Sequence, residues 1–269
     1  MTTADQPEAV AADAKGDGGK PMTFFEHLTE LRKRIINSLM AIGAGAIVGV
    51  LIAEKIFGFI ARPMLGALHD AHLAERLVYT SPTGAINLII ELGLYIGLVL
   101  ASPVVLHQTW LFVAPALYKH ERKAVVTFVA SSVLLFLTGI AFGYYVMLPS
   151  VLRFLIHFKG PIEPLISMNE YFDLTLMVLL GLGIIFELPI LIFFLSLFGV
   201  VTPSFLWKNF RYAILIISVV AAIVTPSPDA MTMLIFMAPM VLLYFVGIAV
   251  SAVVVKRKRE RETARAAAP

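Results

Sequence analysis

Long apolar stretches separated by short polar segments dominate the pattern of this chain. A helix needs roughly 20 mainly apolar residues to cross the hydrocarbon core of a bilayer. Because backbone amides cannot stay unpaired in hydrocarbon, each such stretch predicts a helix. We count six candidate spans, near residues 35–53, 81–103, 124–147, 174–198, 204–224 and 228–255. The pattern therefore predicts an all-α integral membrane protein with six transmembrane helices.

Residues near the span ends predict where the helices begin and stop. Ser81 and Pro82 are typical of a helix start. Pro103 predicts an interruption of the second span, so residues 103–114 either continue it or form a separate surface helix. Gly199 suits the C-terminal stop of the fourth span.

The fifth span has two possible lengths. Thr202 and Pro203 can start a helix, but only residues 213–224 are continuously apolar. Those twelve residues cover about 18 Å, well short of a core of roughly 30 Å. The span is therefore either short, or it begins earlier, near Ser204.

Basic residues are distributed unevenly between the two sides that six spans define. Of the 21 Lys and Arg residues, 16 lie on the side that holds both termini and 5 on the other. Cytoplasmic loops carry the excess of positive charge, so both termini are predicted to be cytoplasmic. We expect a disordered tail over residues 1–21, a six-span membrane domain over 22–255 and a basic tail over 256–269.

Composition agrees with a membrane protein and argues against catalysis. Apolar residues make up 59% of the chain and charged residues only 14%, whereas soluble domains carry about 25% charged residues. With no cysteine, disulfides, thiol catalysis and cysteine metal sites are excluded. Neither HExxH, GxSxG nor a Walker A loop occurs, so we predict neither an enzyme nor a cofactor.

Two acids lie among cations on the predicted cytoplasmic side. Glu30 precedes the first span on an amphipathic helix that Thr23 and Glu26 can cap, and Glu121 lies in a basic loop. Glu30 either pairs with Arg34 one turn later or receives a cationic ligand. Glu121 likewise either neutralises its neighbours or receives such a ligand.

Other acids fall within or beside the spans. Glu187, near the middle of the fourth span, costs about 2.5–3.5 kcal/mol to insert, so it should face protein or water. It serves either a function or a structural hydrogen bond, and Pro189 frees the carbonyl of Ile185 beside it. Glu91 lies in the second span. Asp229 suits the N-cap of the sixth helix.

Six segments, in this order, resemble the TatC family, the receptor subunit of the twin-arginine protein translocase. They are FFEHLTELRKRI (24–35), ARPM (61–64), SPTGAI (81–86), FVAPALYKHERK (112–123), FELP (186–189) and TPSPD (225–229). The segment 112–123 is the most specific, because long polar runs in membrane loops rarely match by chance.

The resemblance implies a cupped arrangement of six spans that binds twin-arginine signal peptides of folded cargo at the cytoplasmic face. It places Glu187 on the concave face and implies that the fifth and sixth spans are short. The residues that it implicates in signal-peptide binding are Glu30, Arg32, Phe112 and Glu121. Pro63 and Asp229 match functional positions on the outer side.

The resemblance also implies partners and an energy source. The partners are single-span subunits of the TatA and TatB type, and the energy source is the proton-motive force.

The implied recognition of two arginines fits the chemistry of Glu30 and Glu121. An arginine can offer a carboxylate two parallel hydrogen bonds, which lysine cannot copy.

A proton-coupled small-molecule transporter that uses Glu187 remains the alternative function. Such a transporter would favour internal repeats, which we do not find.

Overall fold

The computed structural model describes residues 24–113, 122–157, 165–225 and 229–266. Glu121 and Thr23 lie outside the described residues, and so does the side chain of Glu26. Within those ranges the regular elements are helices, joined by turns and irregular segments, with one isolated β-bridge between Val78 and Ser167. The predicted all-α class is confirmed.

The described chain is organised into long helices joined by short connections. The helices are α1 Phe24–Asp70, α2 Gly84–Val113, α3 Arg122–Phe142, α4 Leu148–His157, α5 Met168–Ile185, α6 Leu188–Leu197, α7 Pro203–Lys208, α8 Phe210–Val224 and α9 Ala230–Ala266. A π-helical turn, Gly143–Met147, joins α3 to α4.

Five helical runs are long and apolar enough to cross a membrane. They are His27–Asp70, Gly84–Val113, Val126–Ile156, Met168–Leu197 and Ala230–Glu260. The remaining candidate, α8, is apolar but has only 15 residues, which span about 22 Å. Length therefore supports five of the six predicted spans directly.

The structure corrects the predicted start of α2 and decides between the two alternatives for the stretch after Pro103. Gly84 donates to the carbonyl of Ser81, and Asn87 donates to the carbonyl of Thr83. Ser81 thus lies in a turn that precedes α2. Pro103 lies inside α2 without ending it, so the stretch after it continues the same helix.

Later helix ends follow the local signals more closely. Gly199 has a φ of +77° and ends the run that includes α6, as predicted. The Thr202 hydroxyl accepts from the backbone N–H of Phe205 at 3.2 Å and caps α7. A break at Asn209 separates α7 from α8. A helix thus begins near Ser204, as one alternative held, but it is interrupted, and the apolar helix α8 that follows is short, as the other alternative held.

Two helical runs extend beyond their predicted ends. The third run, predicted to stop at Met147, continues through the π-turn into α4 and reaches His157. Helix α9 continues past Val255 to Ala266, so it is not a short helix. Residues 256–260 of this helix are exposed and rich in basic side chains.

Glycines bring α1 and α2 into direct backbone contact. A Cβ on Gly45 would meet the Gly97 carbonyl oxygen, and one on Gly49 would collide with that of Gly93. Paired small residues of this kind allow membrane helices to approach closely. This contact holds the two helices that carry the candidate site described below.

Pro63 lies in the C-terminal part of α1, where two tyrosines bond the carbonyls beside it. A proline removes the N–H that would bond the carbonyl four residues earlier, here that of Phe59. The Tyr144 hydroxyl donates to this carbonyl at 2.6 Å, and the Tyr171 hydroxyl donates to the adjacent carbonyl of Ile60 at 2.6 Å. The proline is therefore built into the packing of α1 against the third and fourth helical runs.

Candidate functional site

Glu30 and Arg34 form an ion pair at the end of α1 that precedes its membrane-spanning part. Arg34 Nη2 lies 2.9 Å from Glu30 Oε1, and the side chains are 23% and 18% exposed. Arg34 Nη1 donates to Gln108 Oε1 on α2 at 3.1 Å. One guanidinium thus links the acid to the neighbouring helix, and the predicted pairing of Glu30 with Arg34 is confirmed.

This ion pair leaves part of its hydrogen-bonding capacity unused. Glu30 Oε2 and Arg34 Nε are both buried and have no hydrogen-bond partner in the described ranges. The contact between the two charged groups is therefore a single hydrogen bond rather than a two-point fork. A further donor that reached the carboxylate would gain a charge-assisted bond, worth about 1.5–3 kcal/mol.

Phe112 lies beside this pair, as the sequence resemblance implied. Its ring stacks on His27, one turn before Glu30, with centroids 4.4 Å apart and an interplanar angle of 19°. A cavity of about 290 Å³ lies between α1 and α2, and its lining includes Arg34, Gln108 and Phe112. We call Glu30, Arg34, Gln108, His27 and Phe112 the Glu30 site.

Two members of the Glu30 site were not among the predicted residues. Gln108 and His27 each lie one turn from a predicted residue, on the faces where α1 and α2 meet. A polar residue near the end of an otherwise apolar span was the available signal for Gln108. Arg32, which was predicted, is exposed and is not among the residues that line the cavity.

Glu187 lies at the break between α5 and α6 and faces protein, as its insertion cost predicted. The Ser132 hydroxyl donates to Glu187 Oε2 at 2.6 Å, and Trp110 Nε1 donates to the Ser132 oxygen at 2.8 Å. This series of hydrogen bonds joins α2, α3 and the break between α5 and α6. Glu187 Oε1 is also buried, with no hydrogen-bond partner among the residues described.

Removing the Ser132 hydroxyl is expected to destabilise the helix bundle. Ser132→Ala leaves the Trp110 N–H and one Glu187 oxygen without their partner, at a cost of about 1–2 kcal/mol. Thermal unfolding in detergent micelles, followed by tryptophan fluorescence, measures this loss.

The neighbouring serine provides the control for that measurement. Ser131 donates only within its own helix, to the Thr127 carbonyl at 2.9 Å, so Ser131→Ala should leave the transition almost unchanged. Equal transitions for the two variants would show that the Trp110–Ser132–Glu187 chain contributes nothing to stability.

The other predicted residues lie apart from the Glu30 site. Asp229 Oδ1 accepts from the backbone N–H of Thr232 at 2.7 Å, which confirms its predicted capping of α9. Pro63 lies in the C-terminal part of α1. Glu91 lies on α2, where its carboxyl contacts that of Asp173 on α5. The predicted outer-side roles of Pro63 and Asp229 stay predictions.

Comparison with known proteins relates this helical arrangement to one family. The family model described as Sec-independent protein translocase protein (TatC) matches residues 26–239. A protein of that name from Koribacter versatilis (strain Ellin345) is 47% identical over 260 residues, 96% of each chain. Another from Aquifex aeolicus (strain VF5) is 34% identical over 246 residues, 90% of this chain and 100% of the relative.

A solved structure has the same fold. It is described as "Crystal Structure of Twin Arginine Translocase Receptor- TatC", is 34% identical, and superposes with a TM-score of 0.76 over 86% of this chain and 100% of its own. Sequence and fold agree over most of the chain, which therefore belongs to the TatC family and is a multi-pass membrane subunit of a protein translocase rather than a catalytic enzyme.

Proposed function

We propose that this protein binds twin-arginine signal peptides at the Glu30 site and thereby receives folded proteins for export. The observation that carries the proposal is the Glu30 carboxylate, which is largely buried, held through one oxygen only, and lacks a partner for its second oxygen in the described chain. The similar solved structure is that of a twin-arginine translocase receptor, which supports the same role here.

The pairing in the free protein suggests an exchange of partners on binding. Arg34 uses one nitrogen for Glu30 and a second for Gln108, so it does not form a two-point fork with the acid. An arginine of the signal can offer two parallel hydrogen bonds to Glu30, while Arg34 keeps its bond to Gln108. A lysine ammonium is a point charge and cannot reproduce this geometry.

The rest of the signal would lie along the same surface. Glu121 supplies the second carboxylate for the second arginine, and Phe112 and Arg32 border the site. The cavity beside Phe112 is also lined by apolar side chains, among them Leu31 and Val105, which suit an apolar stretch that follows the arginine pair.

We also propose the six-span topology with both termini in the cytoplasm. Helix α8 spans about 22 Å and would cross a locally thinned bilayer at a modest cost per Å of mismatch. With α8 counted as a span, the 16 to 5 division of basic residues supports a cytoplasmic location for the Glu30 site and both termini. The Glu30 site then faces the compartment in which cargo folds.

Assembly and energy complete the proposal. Single-span partners of the TatA and TatB type would join this subunit, and the proton-motive force would drive export. Pro63 and Asp229 would act at the outer side, and Glu187 would act on the concave face. Family membership favours this role over the small-molecule transporter that Glu187 also allowed.

A binding measurement with paired peptides tests the proposal. The purified protein is placed in lipid nanodiscs, and a fluorescent signal peptide with two arginines is compared with one in which both are lysine. We expect the lysine peptide to bind at least tenfold more weakly. Crosslinkers at positions 112 and 121 should capture only the arginine peptide. Equal affinity for the two peptides would contradict recognition by a carboxylate fork.

A further inference from the structure

A second cavity lies within the membrane-spanning part of the bundle, away from the Glu30 site. It has a volume of about 420 Å³ and is lined by residues of α1, α2, α3, the π-turn and α5. Its lining is aliphatic and aromatic, and includes Ile56, Leu92, Ile96, Ile140 and Leu180. Ordered water needs two to four polar partners, so this lining suits a hydrocarbon chain better than water.

The cavity opens to the outside of the helix bundle. Among its lining side chains, Leu100, Leu137 and Tyr145 are 51%, 43% and 68% exposed. These residues belong to helical runs that are long enough to span a bilayer. The opening therefore faces the acyl chains of surrounding lipid.

Three aromatic rings line part of the cavity, and one cation lies beside the first of them. The Arg62 guanidinium lies 5.8 Å from the Phe59 ring centroid. Phe59 stacks on Tyr144 at 4.4 Å, and Tyr144 meets Tyr145 edge-on at 4.9 Å. We call these four residues the aromatic rim.

The aromatic rim lies at the level of a membrane interface. Tyr144 follows Arg122, at the start of α3, by 22 residues, which is about 33 Å along a helix. That length matches the roughly 30 Å hydrocarbon core, so Arg122 and the rim lie at opposite surfaces. Tyrosine and arginine are typical of the interfacial layer, where lipid headgroups lie.

The aromatic rim has hydrogen-bond donors that its own packing does not use. The Tyr144 hydroxyl is taken by the Phe59 carbonyl. The Arg62 guanidinium forms no ion pair, and the Tyr145 hydroxyl no hydrogen bond, with any residue in the described ranges. A phosphate diester is an acceptor that suits the Arg62 guanidinium, and the other oxygens of a lipid headgroup suit the Tyr145 hydroxyl.

We propose that this cavity binds one anionic phospholipid, with its phosphate at Arg62, its remaining headgroup oxygens at Tyr145 and an acyl chain between α1, α2 and α5. The headgroup of such a lipid would lie at the aromatic rim, at the level of the membrane interface. Its acyl chain would lie against the apolar lining, at the level of the hydrocarbon core. A bound lipid would fill the gap beside the Pro63 region of α1.

Native mass spectrometry of the full-length protein tests this site. The delipidated protein in detergent is titrated with phosphatidylglycerol and, separately, with phosphatidylcholine of the same chain length. We expect one phosphatidylglycerol to bind at least tenfold more tightly than phosphatidylcholine. Arg62→Gln should reduce that preference to less than twofold.

Two further variants separate a specific site from general lipid contact. Lys55→Gln removes an exposed cation from the same helix that, unlike Arg62, does not lie beside a ring of the aromatic rim, and should change nothing. Ala141→Phe puts a ring into the cavity and should abolish tight binding of both lipids. Arg62→Gln and Ala141→Phe should keep the wild-type unfolding temperature measured without lipid; if Arg62→Gln does not fold, Tyr145→Phe takes its place.

Three results would overturn the proposal. Equal affinity of the wild type for the two lipids would remove headgroup recognition. Unchanged binding in Ala141→Phe would place the lipid elsewhere. If Ala141→Phe retained lipid but lost binding of a twin-arginine peptide, the cavity would belong to the peptide.

Discussion

Glu30→Gln is expected to weaken binding of a twin-arginine signal peptide by tenfold to a hundredfold. Glutamine keeps the shape of the side chain but loses the charge and one acceptor oxygen, so it cannot form a two-point bond with a guanidinium. The loss of one charge-assisted hydrogen bond, about 1.5–3 kcal/mol, corresponds to that range, since about 1.4 kcal/mol is tenfold in affinity. Fluorescence anisotropy with the protein in nanodiscs measures it directly.

A second ion pair in this chain provides a matched control. Glu260 pairs with Lys256 at the same one-turn spacing, at 4.0 Å, with side chains that are 63% and 79% exposed. An exposed pair of this kind contributes little, so Glu260→Gln should leave peptide affinity unchanged. Comparable losses in both variants would mean that overall charge, rather than the Glu30 site, governs binding.

Arg34 distinguishes a binding role of Glu30 from a purely structural one. If Arg34 holds the carboxylate until the signal displaces it, Arg34→Gln should preserve or raise peptide affinity while lowering the unfolding temperature. If Glu30 serves only to position Arg34 for its bond to Gln108 on α2, Arg34→Gln and Glu30→Gln should weaken folding and binding to the same extent.

Gly49→Val is expected to remove most of the folded protein from the membrane. A Cβ at this position would collide with the backbone carbonyl of Gly93 on α2. A helical backbone cannot relieve the collision by changing rotamer, as a flexible side chain can. Overpacking usually costs about 1–3 kcal/mol, and here two backbones that touch over several turns must also separate. The amount of protein extracted in mild detergent and its unfolding temperature measure the effect.

Gly43 is the control for this substitution, because it lies six residues earlier on the same helix. A Cβ there would have no neighbour within 4 Å, so Gly43→Val should be produced and should unfold like the wild type. Similar losses at both positions would show that valine harms α1 itself rather than its contact with α2.

Helix ends were predictable where a residue acts on its own backbone. Gly199 takes up a positive φ and stops a helix, and Thr202 and Asp229 bond backbone N–H groups three residues ahead. These contacts span a few residues, so the local sequence contains all the atoms involved. The predicted helix start at Ser81 was wrong, and Pro103 left two alternatives, of which the continuous helix is observed.

The candidate site was predictable only in part. Glu30 and Phe112 belong to recognisable segments, and Glu187 is conspicuous as a charge in an apolar run. Gln108, His27 and Ser132 gave no comparable signal, since a lone polar side chain near or within a span usually has no special role. Each becomes part of a site only through a contact in the folded protein: Gln108 with Arg34, His27 with Phe112 and Ser132 with Glu187.

Apolar length, basic-residue bias and short-range capping are properties of consecutive residues, so the chain's membrane character, most of its spans and its family could be inferred without coordinates. The bond from Arg34 to Gln108, the tyrosines on the carbonyls beside Pro63 and the glycine contact between α1 and α2 join residues tens of positions apart. Such contacts exist only once helices pack in one register, because packing sets which faces meet and which polar atoms remain without partners.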